Sequence, residues 1–138
     1  MRVHGPDKDD WKKLIRMLKY LNGTRDLVLK LKAYGTNIVK WWVDGSFAVH
    51  PNMRSHTGGT MSMGTGSISS LSMKQKMNTQ SSTGSELVGT DDVLPSVLWT
   101  RLFLKAQGYG TLEHIVYQDN KSTILLQKNG KASSSKRT

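Results

Sequence analysis

The chain has 138 residues, no cysteine, and twenty Lys and Arg against ten Asp and Glu, giving a net charge of +10 and a pI near 10. That length suits one domain with a real core better than two, and the missing cysteines exclude a disulfide framework and any thiolate metal site. No apolar run is long enough to cross a bilayer, and the N-terminal MRVHGPDKDDW lacks the apolar segment of a signal peptide, so an intracellular, non-secreted protein is expected. The charge excess favours polyanionic partners, nucleic acid well ahead of an anionic membrane surface. A basic protein with no polyanionic partner is the bland alternative.

In DDWKKLIRMLKYLNG, residues 9–23, the apolar Trp11, Leu14, Ile15, Leu18 and Leu21 fall at helical spacing. Asp9 or Asp10 can cap the start and Gly23 suits the stop. Lys12, Lys13, Arg16 and Lys19 form the opposite, solvated face. Leu27, Leu29 and Leu31 alternate with Val28, Lys30 and Lys32, a strand pattern, and residues 33–37 read as a turn. A strand over 38–49 follows, ended by Pro51-Asn52. Residues 57–63 and 67–73 read as two more strands joined by Gly64-Thr65-Gly66. GTGS at 64–67 is a hairpin turn rather than a phosphate loop, because a strand and not a helix follows it. Gln80 to Thr83 supply capping residues for a long helical stripe through Ala106, which Pro95 divides or kinks. Residues 114–117 (HIVY) are a short apolar strand, and a helix over 122–128 is stopped by Asn129-Gly130. The tail KASSSKRT is polar and basic. The whole predicts a mixed α/β layer architecture with helices covering a central sheet.

Three carboxylates sit where the apolar patterns do not invite them. Asp44 lies mid-strand in KWWVDGSFAVH, Glu86 lies in the first turns of the long helix, and Asp119 follows directly on the HIVYQ strand. A buried, unpaired carboxylate is costly, so each must be paired, exposed or holding a cation. Each also has a local explanation: a β-bulge or a Ser46 bond for Asp44, the helix dipole for Glu86, and a cap on the last helix for Asp119. Taken together, three carboxylates from three elements at one sheet end suit metal-dependent phosphoryl transfer. Mg²⁺ takes hard oxygen ligands, and two ions about 4 Å apart can activate water and stabilise a leaving oxygen.

In order and spacing, WWVDGSFAVHPNMRSHTGG, SSTGSELVG and VYQDNKSTILLQKNG resemble the ribonuclease H domain of copia-type retrotransposon polymerase polyproteins. WKKLIRMLKYLNGTRDLVLKL resembles the segment that joins reverse transcriptase to that domain. The resemblance implies a connecting helix and strand over 1–37 and a ribonuclease-H-like domain over 38–138, with a five-stranded mixed sheet flanked by helices. It implies hydrolysis of the RNA strand of RNA–DNA hybrids, with two Mg²⁺ or Mn²⁺ ions held by Asp44, Glu86 and Asp119. The reverse transcriptase domain of the same polyprotein is the implied neighbour. Two departures stand out. Gly84 replaces an acidic residue that relatives carry, and weakens the helix start by up to about 1 kcal/mol relative to Ala. No carboxylate follows Asp119, so the family's fourth metal-site residue and a closing element are expected to be missing.

Hybrid recognition needs phosphate contacts and detection of the 2′-hydroxyl. Ser46, Asn78, Ser82 and Asn120 are candidates for backbone or 2′-hydroxyl contacts, and Lys74, Lys76 and Lys121 for phosphates. Trp41 and Trp42 read as core and sheet packing. His50, His56 and His114 show no metal-ligand spacing. The rival function is a nucleic-acid-binding fragment of a retroelement polymerase that no longer cuts.

Overall fold

The computed structural model describes residues 5–35, 37–110 and 112–130. Three helices and six strands follow one another as α1 (Lys8–Gly23), β1 (Lys32–Ala33), β2 (Ile38–Ser46), β3 (His56–Ser62), β4 (Gly64–Thr65), β5 (Ser69–Lys74), α2 (Ser82–Ala106), β6 (Glu113–Tyr117) and α3 (Lys121–Asn129). The main sheet has four strands in the order β5-β3-β2-β6, and β1 and β4 form a separate two-stranded ribbon. β2 runs antiparallel to β3 and parallel to β6, so the sheet is mixed. A parallel pair needs a crossover, and α2 supplies it across one face of the sheet.

Alternation along β2 sorts its two faces. Val39, Trp41 and Val43 are buried towards α2, whereas Trp42, Asp44 and Ser46 are exposed on the opposite face. The core is small: Val39, Trp41, Val43 and Met61 from the sheet meet Val93, Val97 and Leu104 of α2, with Leu112 beside them. Each such side chain contributes roughly 1.5–3 kcal/mol of burial. At Gly89 a Cβ would meet Val43 and Thr57 at 3.6–3.7 Å, an ordinary contact distance, so α2 lies over β2 and β3 there without needing a glycine.

Several elements differ from the sequence expectation. Asp7, not Asp9 or Asp10, caps α1: its carboxylate accepts from the Asp9 and Asp10 amides, and Asp10 completes the capping box. Leu27 to Leu31 form no strand, because their backbone finds no ladder partner and only Lys32–Ala33 pair, with Gly64–Thr65. Hence Gly64 and Thr65, expected in a turn, are paired. β2 stops at Ser46 instead of Val49, where the chain turns through Ala48 and Met53, both at positive φ. Pro95 neither divides nor interrupts α2, which is helical from Ser82 to Ala106. Pro95 is exposed, so the carbonyl it leaves without a helical donor faces water rather than the core. Trp42 is half-exposed and stacked on Tyr117 of β6 with ring centroids 5.3 Å apart, rather than buried like Trp41. A fifth strand in the main sheet is absent among the described residues. The tail at 131–138 lies outside them. None of the described helices is long and apolar enough to cross a membrane.

Candidate active site

The ladder between β2 and β6 ends at the pair Trp42 and Tyr117. Asp44 and Asp119 each lie two residues past that last pair: Asp44 is still within β2 and paired with Gly58 of β3, and Asp119 lies just beyond the end of β6. Both side chains are exposed and, among the described residues, neither makes a side-chain hydrogen bond or ion pair. They line the same concave surface of about 610 Å³, with Trp42, Tyr117, Gly58 and Thr60. No bulge accounts for Asp44, since its register with Gly58 is unbroken on both sides. Nor does Asp119 cap α3. Asn120 does so, its side-chain oxygen accepting from the Thr123 amide at 3.1 Å. The local explanations for these two carboxylates therefore fall away.

Glu86 comes from α2 and is buried. Its carboxylate accepts from Gln118 Nε2 at 3.1 Å and from the Gly45 amide, next to Asp44. Burial pushes its pKa up, the Gln118 and Gly45 bonds oppose that, and the negative charges of Asp44 and Asp119 push it further up. Asp44 and Asp119 are thus near enough for their charges to act on Glu86. Yet no three Asp, Glu or His side chains among the described residues are arranged to hold an ion as they stand. Glu86 is turned onto Gln118 and Gly45. The donor set is all oxygen, which suits Mg²⁺ or Mn²⁺ and disfavours softer metals. Charge compensation by a divalent cation would also relieve the like-charge repulsion that Glu86 senses.

The remaining candidates are spread around this edge. Ser46 ends β2, Ser82 starts α2 just after its cap Ser81, and Lys121 starts α3. Lys74 ends β5 opposite His56. Asn78 and Lys76 lie in the exposed loop between β5 and α2, and Asn78 approaches the Asn52 carbonyl at 3.5 Å. Asn120 is engaged as the α3 cap. On the open face, His56 sits across from Ser46. Its ring bridges His50 Nε2, at 3.0 Å, and Ser72 Oγ, at 2.7 Å.

Sequence reasoning passed over Gln118, Gly45, Ser85 and Gln75. Gln118 was legible in principle. Strand alternation turns it to the opposite face from Tyr117 and Asp119, towards α2 and Glu86. Both ends of its amide are engaged, with Nε2 donating to Glu86 and Oε1 accepting from the Asn120 amide at 3.1 Å.

A mixed sheet in the order β5-β3-β2-β6, crossed by α2 on one face and with an acidic residue on β2 and another just past the parallel β6, is the ribonuclease-H-like architecture. No protein-family model matches the chain. Over 130 residues, 92% of this chain, it is 31% identical to the "Retrovirus-related Pol polyprotein from transposon TNT 1-94" of Nicotiana tabacum. The match takes in 10% of that polyprotein's length. The chain thus spans about a tenth of the relative it matches, and the likeness supports its being a piece of a retrotransposon polyprotein.

Proposed function

We propose that this chain is a ribonuclease H domain, residues 38–138, with residues 1–37 as the connection to a neighbouring reverse transcriptase domain. It hydrolyses the RNA strand of RNA–DNA hybrids. The observation that carries this reading is the pair of exposed carboxylates, Asp44 on β2 and Asp119 just past β6, which line one concave surface, have no side-chain partner among the described residues, and act electrostatically on buried Glu86.

In this reading Asp44, Glu86 and Asp119 would hold two Mg²⁺ or Mn²⁺ ions. When bound, such ions lower the pKa of a water and stabilise the departing oxygen of the phosphodiester. The chain's own contribution is positional. β2 and β6 fix Asp44 and Asp119 on a rigid sheet. α2 presents Glu86 from the other side, and Gln118 orients it. Glu86 would be the ligand from α2, with its carboxylate held towards Gln118 and the Gly45 amide. Ser46, Ser82, Asn78 and Asn120 would meet sugar and backbone oxygens, and Lys74, Lys76 and Lys121 would meet phosphates. The +10 charge supplies the salt-dependent part of affinity.

The second reading, a nucleic-acid-binding fragment that does not cut, is favoured by the inward turn of Glu86 and the lack of a ready three-carboxylate cluster. A cleavage assay separates the two. Labelled RNA–DNA hybrid is incubated with the protein and Mg²⁺, Mn²⁺ or EDTA, beside Asp44→Asn. The nuclease reading expects metal-dependent cutting of the RNA strand and a loss of about 10³-fold or more in the variant, with hybrid binding kept. Salt-sensitive binding without cutting in any metal favours the fragment instead. Equal activity in wild type and Asp44→Asn rules out the assigned site.

A further inference from the structure

Behind the carboxylates lies a buried polar clamp that none of the ligand assignments uses. Gln75 follows β5 and is 1% exposed. Its amide Nε2 donates to the Ser85 carbonyl at 2.8 Å and to Thr57 Oγ1 at 3.0 Å. Both acceptors are fully buried. Ser85 Oγ in turn donates to the Gly45 carbonyl at 3.0 Å, and lies 2.8 Å from the Ser82 carbonyl. A second tie runs through Thr57, whose hydroxyl donates to Asp92 two helical turns along at 2.7 Å. Ser85 directly precedes Glu86, and Gly45 directly follows Asp44. The clamp therefore joins the backbones on which two of the proposed metal ligands stand.

The fit at this point is close. A Cβ on Gly45 would lie 2.7 Å from the Ser85 carbonyl oxygen and 2.9 Å from the Glu86 nitrogen. Gln75 holds its position with its other end unsatisfied, because Oε1 is buried with no partner. An amide turned the other way would bring two carbonyl oxygens together at Ser85. The orientation is thus set by the Ser85 contact, and an orphaned buried acceptor is the cost of keeping it.

We infer that Gln75 is a positioning residue for the metal site: acting through Ser85, it fixes the first turns of α2 against β2 and so sets where Glu86 stands relative to Asp44. This rests on the nuclease reading given above. Gln75 touches neither substrate nor metal. Its role resembles that of groups that orient metal ligands from behind, whose loss typically costs about 10–100-fold in metal affinity.

The test uses the full chain and titrates Mn²⁺ calorimetrically into wild type, Gln75→Leu, Ser85→Ala and Asp44→Asn, with a thermal melt of each. Gln75→Leu is expected to weaken Mn²⁺ binding by about 10-fold or more while still melting cooperatively, and Ser85→Ala by about 3–10-fold. In hybrid cleavage, Gln75→Leu should need correspondingly more Mn²⁺ for half-maximal rate, and its kcat should return to near wild type at saturating Mn²⁺. A residue that only supports the fold would lower the melting temperature without moving the metal requirement. Wild-type Mn²⁺ affinity in Gln75→Leu, with binding abolished in Asp44→Asn, overturns the positioning role and leaves the nuclease reading standing. So does a kcat that stays low at saturating metal. No Mn²⁺ binding by wild type removes the nuclease reading, and this inference with it. If Gln75→Leu does not fold, Gln75→Met, which keeps the length of the side chain but lacks the Nε2 donor to the Ser85 carbonyl, carries the same two outcomes.

Discussion

Helices α1 and α2 make opposite use of their sequences. α1 has every local mark of a good helix: a regular apolar stripe, an Asp7–Asp10 capping box, and an i,i+4 pair between Asp9 and Lys13 at 2.6 Å. Yet no residue of α1 is buried, and Trp11 is 62% exposed. α2 has poorer credentials, with Gly89 and Pro95 inside it and serine, threonine and glutamate on its inner face. It nevertheless covers the sheet, burying Ser85, Glu86, Gly89, Val93, Val97, Thr100 and Leu104. Amphipathicity reports what a segment can bury. What it does bury depends on the partner that the topology puts opposite it, and here the crossover between parallel strands puts α2 on the sheet. The polar residues on that inner face are the ones that build the site.

If α2 is held by close approach at its first turns, Gly45→Ala should do the most damage. The added methyl meets backbone, not a flexible side chain. Overpacking of this kind costs about 1–3 kcal/mol, roughly 5–10 °C in a domain of this size. Metal-dependent cleavage should fall with it. A thermal melt that matches wild type would show that α2 can retreat freely, and would undo the contrast with α1.

Pro95→Ala tests the same helix from its solvent side. Proline costs about 3 kcal/mol relative to alanine in a helix interior. Part of that is already absorbed by exposure, so a gain of about 1–2 kcal/mol is expected in a denaturant melt. No gain would mean that a bend at Pro95 is needed for α2 to follow the twisted sheet.

Glu86→Gln separates stability from chemistry. The folded-state pKa of Glu86 is raised, chiefly by burial. Ionising it therefore costs more in the folded protein than in the unfolded chain. Its contribution is most favourable below the ordinary glutamate pKa, declines as pH rises through the folded value, and stays reduced above it. Glu86→Gln should thus raise the melting temperature at pH 7, leave it unchanged near pH 4, and abolish cleavage. A lower melting temperature at pH 7 would mean that the bonds to Gln118 and Gly45 outweigh the burial of charge.

The sheet and the carboxylates were readable for specific reasons. The β2 pattern survives because burial alternates on its two faces, and Asp44 shows as an interruption on the exposed one. Asp119 was visible as a charge at the end of an apolar run. Gln75 and Ser85 were not. Both sit in polar stretches that read as loop and cap, and their importance comes from contacts between β5, α2 and β2 that no local period encodes. The strand expected at 27–31 failed for the complementary reason: alternation was present, but no neighbouring ladder was. The division of the helix at Pro95 failed because propensity weighs a proline alike on either helix face, while the cost of its missing bond depends on whether water can reach the freed carbonyl.

The smallest effect is expected in α1, and it is the sharpest check on the comparison. Leu18 is 52% exposed and Trp11 more so. Substitution at exposed positions usually changes stability by no more than about 0.5 kcal/mol. Trp11→Ser and Leu18→Ser should therefore leave the melting temperature of this chain within about 2 °C of wild type, whereas Val93→Ala in α2 should cost roughly 1–3 kcal/mol through lost burial and a cavity. Hybrid cleavage should be equally indifferent to the two α1 changes, since none of the proposed ligands or the clamp behind them stands on α1. A large loss of stability in Trp11→Ser would show that α1 folds against the sheet domain in solution, and the division at residue 37 would then have no energetic meaning. Indifference would show that the apolar stripe of α1 contributes nothing to this domain, so that whatever holds it in the sequence acts outside the folding of residues 38–138.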